Sequence, residues 1–306
     1  MDPRVPVAIV TDTGTSLPAD LIEQYQISVV PFYVHVGTHT YRDGVDITPA
    51  TFFAMLRAQE EPDVSTSVPS VGQFIEVYER VAERARAILS IHIAGKQSGT
   101  CDTARLAAKE SPVPVTVIDT ETTAMGEGFV VLEAARAAQE RAPLEKIVKK
   151  ARAMLPSVGV IALLENVGYA VRGGRLASAA RLLGSVLRIQ PLVQVSGNKV
   201  SLVGQARRRR GGVEQLKNRI LQLAGNAPTH LTVHYAEDRA EGEGLLETLK
   251  QQLNCVEAYL THIPVALGAH AGPGSIGVSY YVEGGLQTEG RAGIRERLTS
   301  LLRDED

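Results

Sequence analysis

Three segments of this chain bring hydroxyl, imidazole and backbone N–H groups together at spacings suited to holding an anion. Ser98-Gly99-Thr100 follows the apolar segment Ser90-Ile91-His92-Ile93 and opens a helical pattern. A strand, a small-residue turn and a helix leave unpaired N–H groups and a partial positive charge at the turn. Hydroxyls there can join those groups on a carboxylate or phosphate, although capping by Ser98 or Thr100 explains the same residues without a ligand. Thr66-Ser67-Val68-Pro69-Ser70 also precedes a helix, with Pro69 restraining the turn beside two adjacent hydroxyls. Turn formation and capping again suffice. Gly268-Ala269-His270-Ala271-Gly272-Pro273-Gly274 sets one histidine among small residues just before an apolar run. That histidine can donate to a carboxylate or act as acid or base, or it is incidental to a glycine-rich loop.

Other matches fail on their details. Asp12-Thr13-Gly14-Thr15 has the look of an aspartic-protease motif, but Asp119-Thr120-Glu121 lacks the glycine of a second copy. Asp12 is read instead as organising the turn after the first strand. Gly95-Lys96-Gln97-Ser98 is no P-loop, since Ser or Thr does not follow Gly-Lys. A Ser98/His270 acyl-ester hydrolase is the alternative reading, weakened by the broken G-x-S-x-G elbow. The histidines show neither H-E-x-x-H nor paired Cys/His spacing, so no metal site is expected. Arg207 to Arg210 lack the interleaved aromatics of a nucleic-acid surface and suit docking of an acidic protein face.

The elements that must position these groups alternate. Val5–Thr11, Ser28–Val36, Ala87–Ile93, Val115–Asp119, Gly159–Leu164, Leu231–Tyr235, Glu257–Ile263 and Ile276–Val282 read as strands. Pro18–Tyr25, Pro49–Ala58, Ser70–Arg84, Thr100–Ala108, Thr123–Gln139 and Leu144–Met154 read as helices. In Ser70–Arg84 the apolar residues Val71, Phe74, Ile75, Val77, Tyr78 and Val81 keep to one side. This alternation predicts an α/β fold with a largely parallel sheet, whose strand C-termini share the edge where ligands settle. The texture changes after about residue 150, so two α/β domains are expected, 1–155 with the parallel sheet and 156–306 with a sheet plus helices.

Composition narrows the class. Of 306 residues 44% are hydrophobic, and 32 basic against 34 acidic residues leave a formal charge of −2. Such a balance argues against a dedicated nucleic-acid binder. Two cysteines, Cys101 and Cys255, are too few for a disulfide framework. No secretory pattern opens the chain and no apolar run approaches ~20 residues, so a cytoplasmic protein is expected. With no tryptophan and 5% aromatics, an apolar site must be lined by aliphatic side chains.

Taken in order, these segments resemble the DegV family of bacterial fatty-acid-binding proteins. Ile9-Val10-Thr11-Asp12-Thr13, Tyr41-Arg42-Asp43-Gly44-Val45-Asp46-Ile47, the Thr66 and Ser98 segments, Val117-Ile118-Asp119-Thr120, Gly173-Gly174-Arg175, Arg188-Ile189-Gln190-Pro191 and Gly268 to Gly274 carry the likeness. The resemblance implies a non-catalytic, cofactor-free protein holding one fatty acid of roughly 14–18 carbons between its domains, since a tail of that length supplies most of the binding energy at ~0.8 kcal/mol per CH₂. Thr66, Ser98 and His270 would hold the carboxylate. A separate ATP-dependent kinase would convert it to an acyl-phosphate for phospholipid metabolism, docking on Arg175 and Arg207. Val158–Leu164 and Leu176–Leu187 would wall the tunnel. Ala94, Gly95, Val68, Ala269 and Ala271 replace the hydroxyl or amide residues usual in the family, and Cys101 an aromatic.

Overall fold

The computed structural model describes residues 3–58, 63–175 and 189–287. Leu176–Leu187, Arg188 and the charged end Arg303 to Asp306 lie outside the described residues. The elements run β1 Ala8–Asp12, α1 Ala19–Gln24, β2 Ser28–Val30, β3 Tyr33–Val36, β4 His39–Arg42, α2 Pro49–Arg57, β5 Val64–Ser67, α3 Val71–Ala82, β6 Ile88–His92, α4 Thr100–Ala107, β7 Val115–Asp119, α5 Met125–Gln139 and α6 Leu144–Met154. They continue with β8 Val158–Leu163, α7 Val167–Arg172, β9 Gln190–Ser196, β10 Lys199–Ala206, α8 Arg209–Ala224, β11 Thr229–Tyr235, α9 Arg239–Gln252, β12 Cys255–His262, α10 Val265–Ala271 and β13 Ile276–Val282.

The fold is α/β, as the alternation predicts. Strands β2-β1-β6-β7 form a four-stranded sheet in which every pair is parallel. Apolar residues of α3 and α4, among them Phe74, Tyr78 and Ala104, cover one face. On the other face, α5 and α6 bury Phe129, Leu132, Ile147 and Met154 with Ile9, Leu89 and Ile91. Helix α5 also reaches the second sheet, because Val158 shares this core and Tyr259 and Tyr281 pack on it. The two come so close that a Cβ added at Gly126 would lie 3.0 Å from the Gly159 backbone. Side chains on α8 and α9, such as Leu216, Ile220, Leu245 and Leu249, close the far face of that second sheet. The layers are therefore helix, sheet, helix, sheet, helix.

The second sheet, ordered β10-β9-β8-β13-β11-β12, is mostly antiparallel, with β11 and β12 its parallel pair. Two expectations need correction. The run Ser28–Val36 is not one strand but two in different sheets, broken at Pro31, which has no N–H to continue a ladder. The Thr66 segment is not a turn on the parallel edge. Thr66 sits within β5, paired with β3 in a small antiparallel sheet β4-β3-β5. That sheet packs through Val34, with Phe52, Phe53, Ala266 and Ala269 of α2 and α10, in a core of its own.

Candidate functional site

The parallel strands β1, β6 and β7 all end toward the second sheet. Their following turns and strands β8, β9 and β10 enclose a cavity, concave and mostly apolar as small-molecule sites are. Val160, Ala162, Val193, Val195 and Val200 supply an aliphatic wall. Val158–Leu164 thus contributes to the wall as expected.

Of the expected site residues, Thr66, Ser98, Arg175 and His270 all line this cavity. Thr66 Oγ1 and His270 Nε2 hydrogen-bond at 2.9 Å, joining β5 to α10 across 204 residues of sequence. His270 lies in the last turn of α10 rather than in the loop that its glycines suggest. The helix starts where the Asp43 carboxylate accepts from the N–H groups of Val265 and Ala266, each at 3.1 Å. Burial pushes Asp43 up to about 6 despite these donors. A Cβ on Gly173 would stand 2.1 Å from His270 Nδ1, so only glycine leaves the ring its place. Burial, helped by the charge of Arg175, holds the imidazole down to about 4. At neutral pH it is uncharged, with Nδ1 buried and without a partner.

Ser98 precedes α4, where Gly99 is the cap residue. Its hydroxyl bonds Thr100 Oγ1 at 2.7 Å and accepts from the Thr100 N–H at 3.4 Å. The loop carrying Ser98 is pinned from behind. Asp119 accepts from the Gly95 N–H at 3.0 Å and from Asn198 Nδ2 at 3.0 Å, while Asn198 Oδ1 accepts from the Lys96 N–H at 3.2 Å. Asn198 and Gly197 form the two-residue turn of the β9–β10 hairpin, both with positive φ. A Cβ at Gly95 would approach Asp119 Oδ2 to 2.6 Å, which explains the glycine there.

Arg175 is exposed and lines the cavity, placing it where the cavity meets solvent. Arg207 is exposed too and is not among the lining residues. The arginine run is not a uniform solvated edge: Arg209 turns inward, bonding Glu241 and donating to the Gly274 carbonyl at 2.7 Å. Sequence reasoning passed over Ser16, Gln97, Thr123 and His234, which also line the cavity. His234 is satisfied by Thr261 and Ser279, each at 2.8 Å, and burial lowers it to about 3. Asp12 organises its turn by accepting from Gly14 N–H at 2.8 Å. It also bonds His92 at 2.9 Å, which bonds Ser90 at 2.6 Å and through it Tyr78 at 2.9 Å. This Asp-His-Ser order is not a catalytic triad, since all four residues are fully buried. Behind it Glu127 is pushed well above the carboxylate range by burial and by the charge of Asp12. Cys101 is buried, its thiol raised by desolvation.

Residues 6–283 match the family model described as "Uncharacterised protein, DegV family". This chain belongs to the DegV family. A DegV domain-containing protein of Streptomyces coelicolor is 34% identical over 276 residues, covering 89% of this chain and 97% of its own. Among solved structures, a DegV family protein of Thermus thermophilus described by its fatty-acid binding is 32% identical, with a TM-score of 0.83 over 90% of this chain and 99% of that one. Bacillus subtilis DegV, a fatty acid binding protein 24% identical, shares the fold with a TM-score of 0.81 over 91% and 100%. Among the described residues no helix is long and apolar enough to cross a membrane, and no His, Cys, Asp or Glu group is arranged for a metal.

Proposed function

We propose that this DegV protein binds one long-chain fatty acid, its carboxylate at Thr66, Ser98 and His270 and its tail along the aliphatic wall. The observation that carries this reading is that the Thr66–His270 pair opens onto a cavity with an aliphatic wall of Val160, Ala162, Val193, Val195 and Val200. The Thermus relative's fatty-acid binding supports it. A neutral histidine suits the task, because its N–H donates a hydrogen bond to a carboxylate without adding a second buried charge. The hydrolase alternative gains no support: Ser98 bonds Thr100 and His270 bonds Thr66, so nucleophile and base are not paired. We take the boundary between the halves at 155/156, and the cytoplasm as the site of action.

The bound acid is presented to an ATP-dependent kinase that forms the acyl-phosphate, with Arg175 and Arg207 as docking residues. Arg175 at the cavity opening is consistent with a partner reaching the carboxylate there. Titrating delipidated protein with palmitate or oleate tests the binding. The Ser98→Ala variant should lose about 1.5–3 kcal/mol of affinity, one charge-assisted hydrogen bond, and an unchanged affinity reduces Ser98 to a helix-end residue. Arg207→Glu should slow phosphorylation of the bound acid while leaving its binding intact. Equal loss of both contradicts docking at Arg207.

A further inference from the structure

The hydroxyls in the two turns that follow β1 and β7 divide into two groups. Thr13 accepts from the Phe32 N–H at 3.1 Å, Thr15 donates to the Asp12 carbonyl at 3.2 Å, Thr120 to the His92 carbonyl at 2.8 Å, and Thr122 to the Val195 carbonyl at 2.9 Å. Ser16 and Thr123, in the same two turns, have none of this. Both line the cavity, and both hydroxyl oxygens are closed off from bulk water without a hydrogen-bond partner. Ser16 is only 8% exposed.

These two hydroxyls flank the start of α5, a fifteen-residue helix that begins at Met125 with Ala124 as cap residue and no side-chain cap. A helix end of that length carries a partial positive charge that favours an electron-rich group. The backbone is forced as well: Ser16 has φ 55°, and Ala124 has φ 53° with ψ −150°, a region otherwise left to glycine.

A plain hydrocarbon chain lying here would seal two hydroxyls away from any acceptor or donor, which buried polar groups resist. We propose that Ser16 and Thr123, at the uncapped start of helix α5, form a second polar subsite that receives an oxygen on the acyl chain, so that the preferred ligand is a hydroxy or oxo fatty acid. The inference rests on fatty-acid binding in this cavity and specifies the class of acid. An alcohol or ketone oxygen accepts from both hydroxyls and lies against the helix end. The Thr66–Ser98–His270 group meanwhile keeps the carboxylate, and the rest of the chain lies against the aliphatic wall.

The test is calorimetric titration of delipidated protein with stearate and with stearates hydroxylated singly at carbons along the chain. One position, set by the distance between the two subsites, should bind tighter than stearate by roughly tenfold, one well-formed hydrogen bond. Ser16→Gly, which tolerates the left-handed backbone, and Thr123→Val should reverse the order: the hydroxy acid weakens and stearate tightens. General misfolding cannot produce that crossing. If no hydroxylated stearate gains, or if a crystal structure with stearate shows an ordered water on both hydroxyls and the variants change nothing, the subsite is a solvent pocket and the inference is overturned. Failure of stearate itself to bind would instead remove the underlying reading.

Discussion

At the scale of single residues, the site depends on how His270 is held. Its imidazole is pushed down to about 4, while an unfolded chain leaves histidine near 6.5. Between those values the unfolded state binds the proton and the folded state does not, so this histidine's contribution to stability is complete above about pH 6.5 and falls away as pH drops toward 4. Urea midpoints at pH 7 and pH 5 should show the wild type losing about 1–2 kcal/mol more than His270→Asn over that interval. An equal loss in both proteins contradicts the neutral, buried assignment. Gly173→Ala would bring a methyl to 2.1 Å from Nδ1 and displace the ring. We expect fatty-acid affinity to fall by roughly tenfold or more for about 1.4 kcal/mol of lost head-group contact, read by titration; retained affinity would show that the ring can move without cost. Thr66, Ser98 and His270 were legible because hydroxyl and imidazole stand out beside glycine and proline. The hydroxyls of Ser16 and Thr123 were not, since nothing in their sequence context separates them from the paired threonines around them. Only the tertiary positions show which oxygens lack partners.

At the scale of elements, the loop bearing Ser98 is held by a hairpin from the other half of the chain. Asn198 spans Asp119 and the Lys96 N–H with one side chain, and no local pattern announces a contact between residues 79 and 102 positions apart. Asn198→Gly keeps the positive φ and removes both bonds. It should weaken fatty-acid binding by roughly 3–10-fold through a mispositioned Ser98, about one hydrogen bond's worth, with the loss appearing in the dissociation rate. An unaltered rate would make the hairpin contact irrelevant to the site. The strands of the parallel sheet were readable because they are short and β-branched, with the central pair β1 and β6 buried throughout. The hairpin β9–β10 and strand β5 were not read as strands. Their polar residues, such as Gln194 and Ser196 in one and Ser65 and Ser67 in the other, disrupt the apolar run. Helix α10 escaped for a different reason: its glycine and alanines resemble a loop until Asp43, over two hundred residues away, caps it.

At the scale of the whole molecule, α5 serves two sheets at once, and its core runs from Ile9 to Val158 without interruption. The halves should therefore melt together, giving one calorimetric transition whose enthalpy agrees with its van't Hoff value. Two separable transitions would contradict a shared core. Alternation in the sequence announced the layers but not their sharing, because a helix buried on two sides carries apolar residues all round and no single stripe to assign. The cavity lies where those layers leave a gap between the parallel strand ends and the second sheet, and its aliphatic wall is the physical reason for expecting a lipid there. Native mass spectrometry of the purified, undelipidated protein measures that occupant directly. The account predicts a bound mass matching a single fatty acid of roughly 14–18 carbons, its tail retained by ~0.8 kcal/mol per buried CH₂. A protein that flies empty, and stays empty after incubation with palmitate, oleate and the hydroxylated stearates, would contradict it.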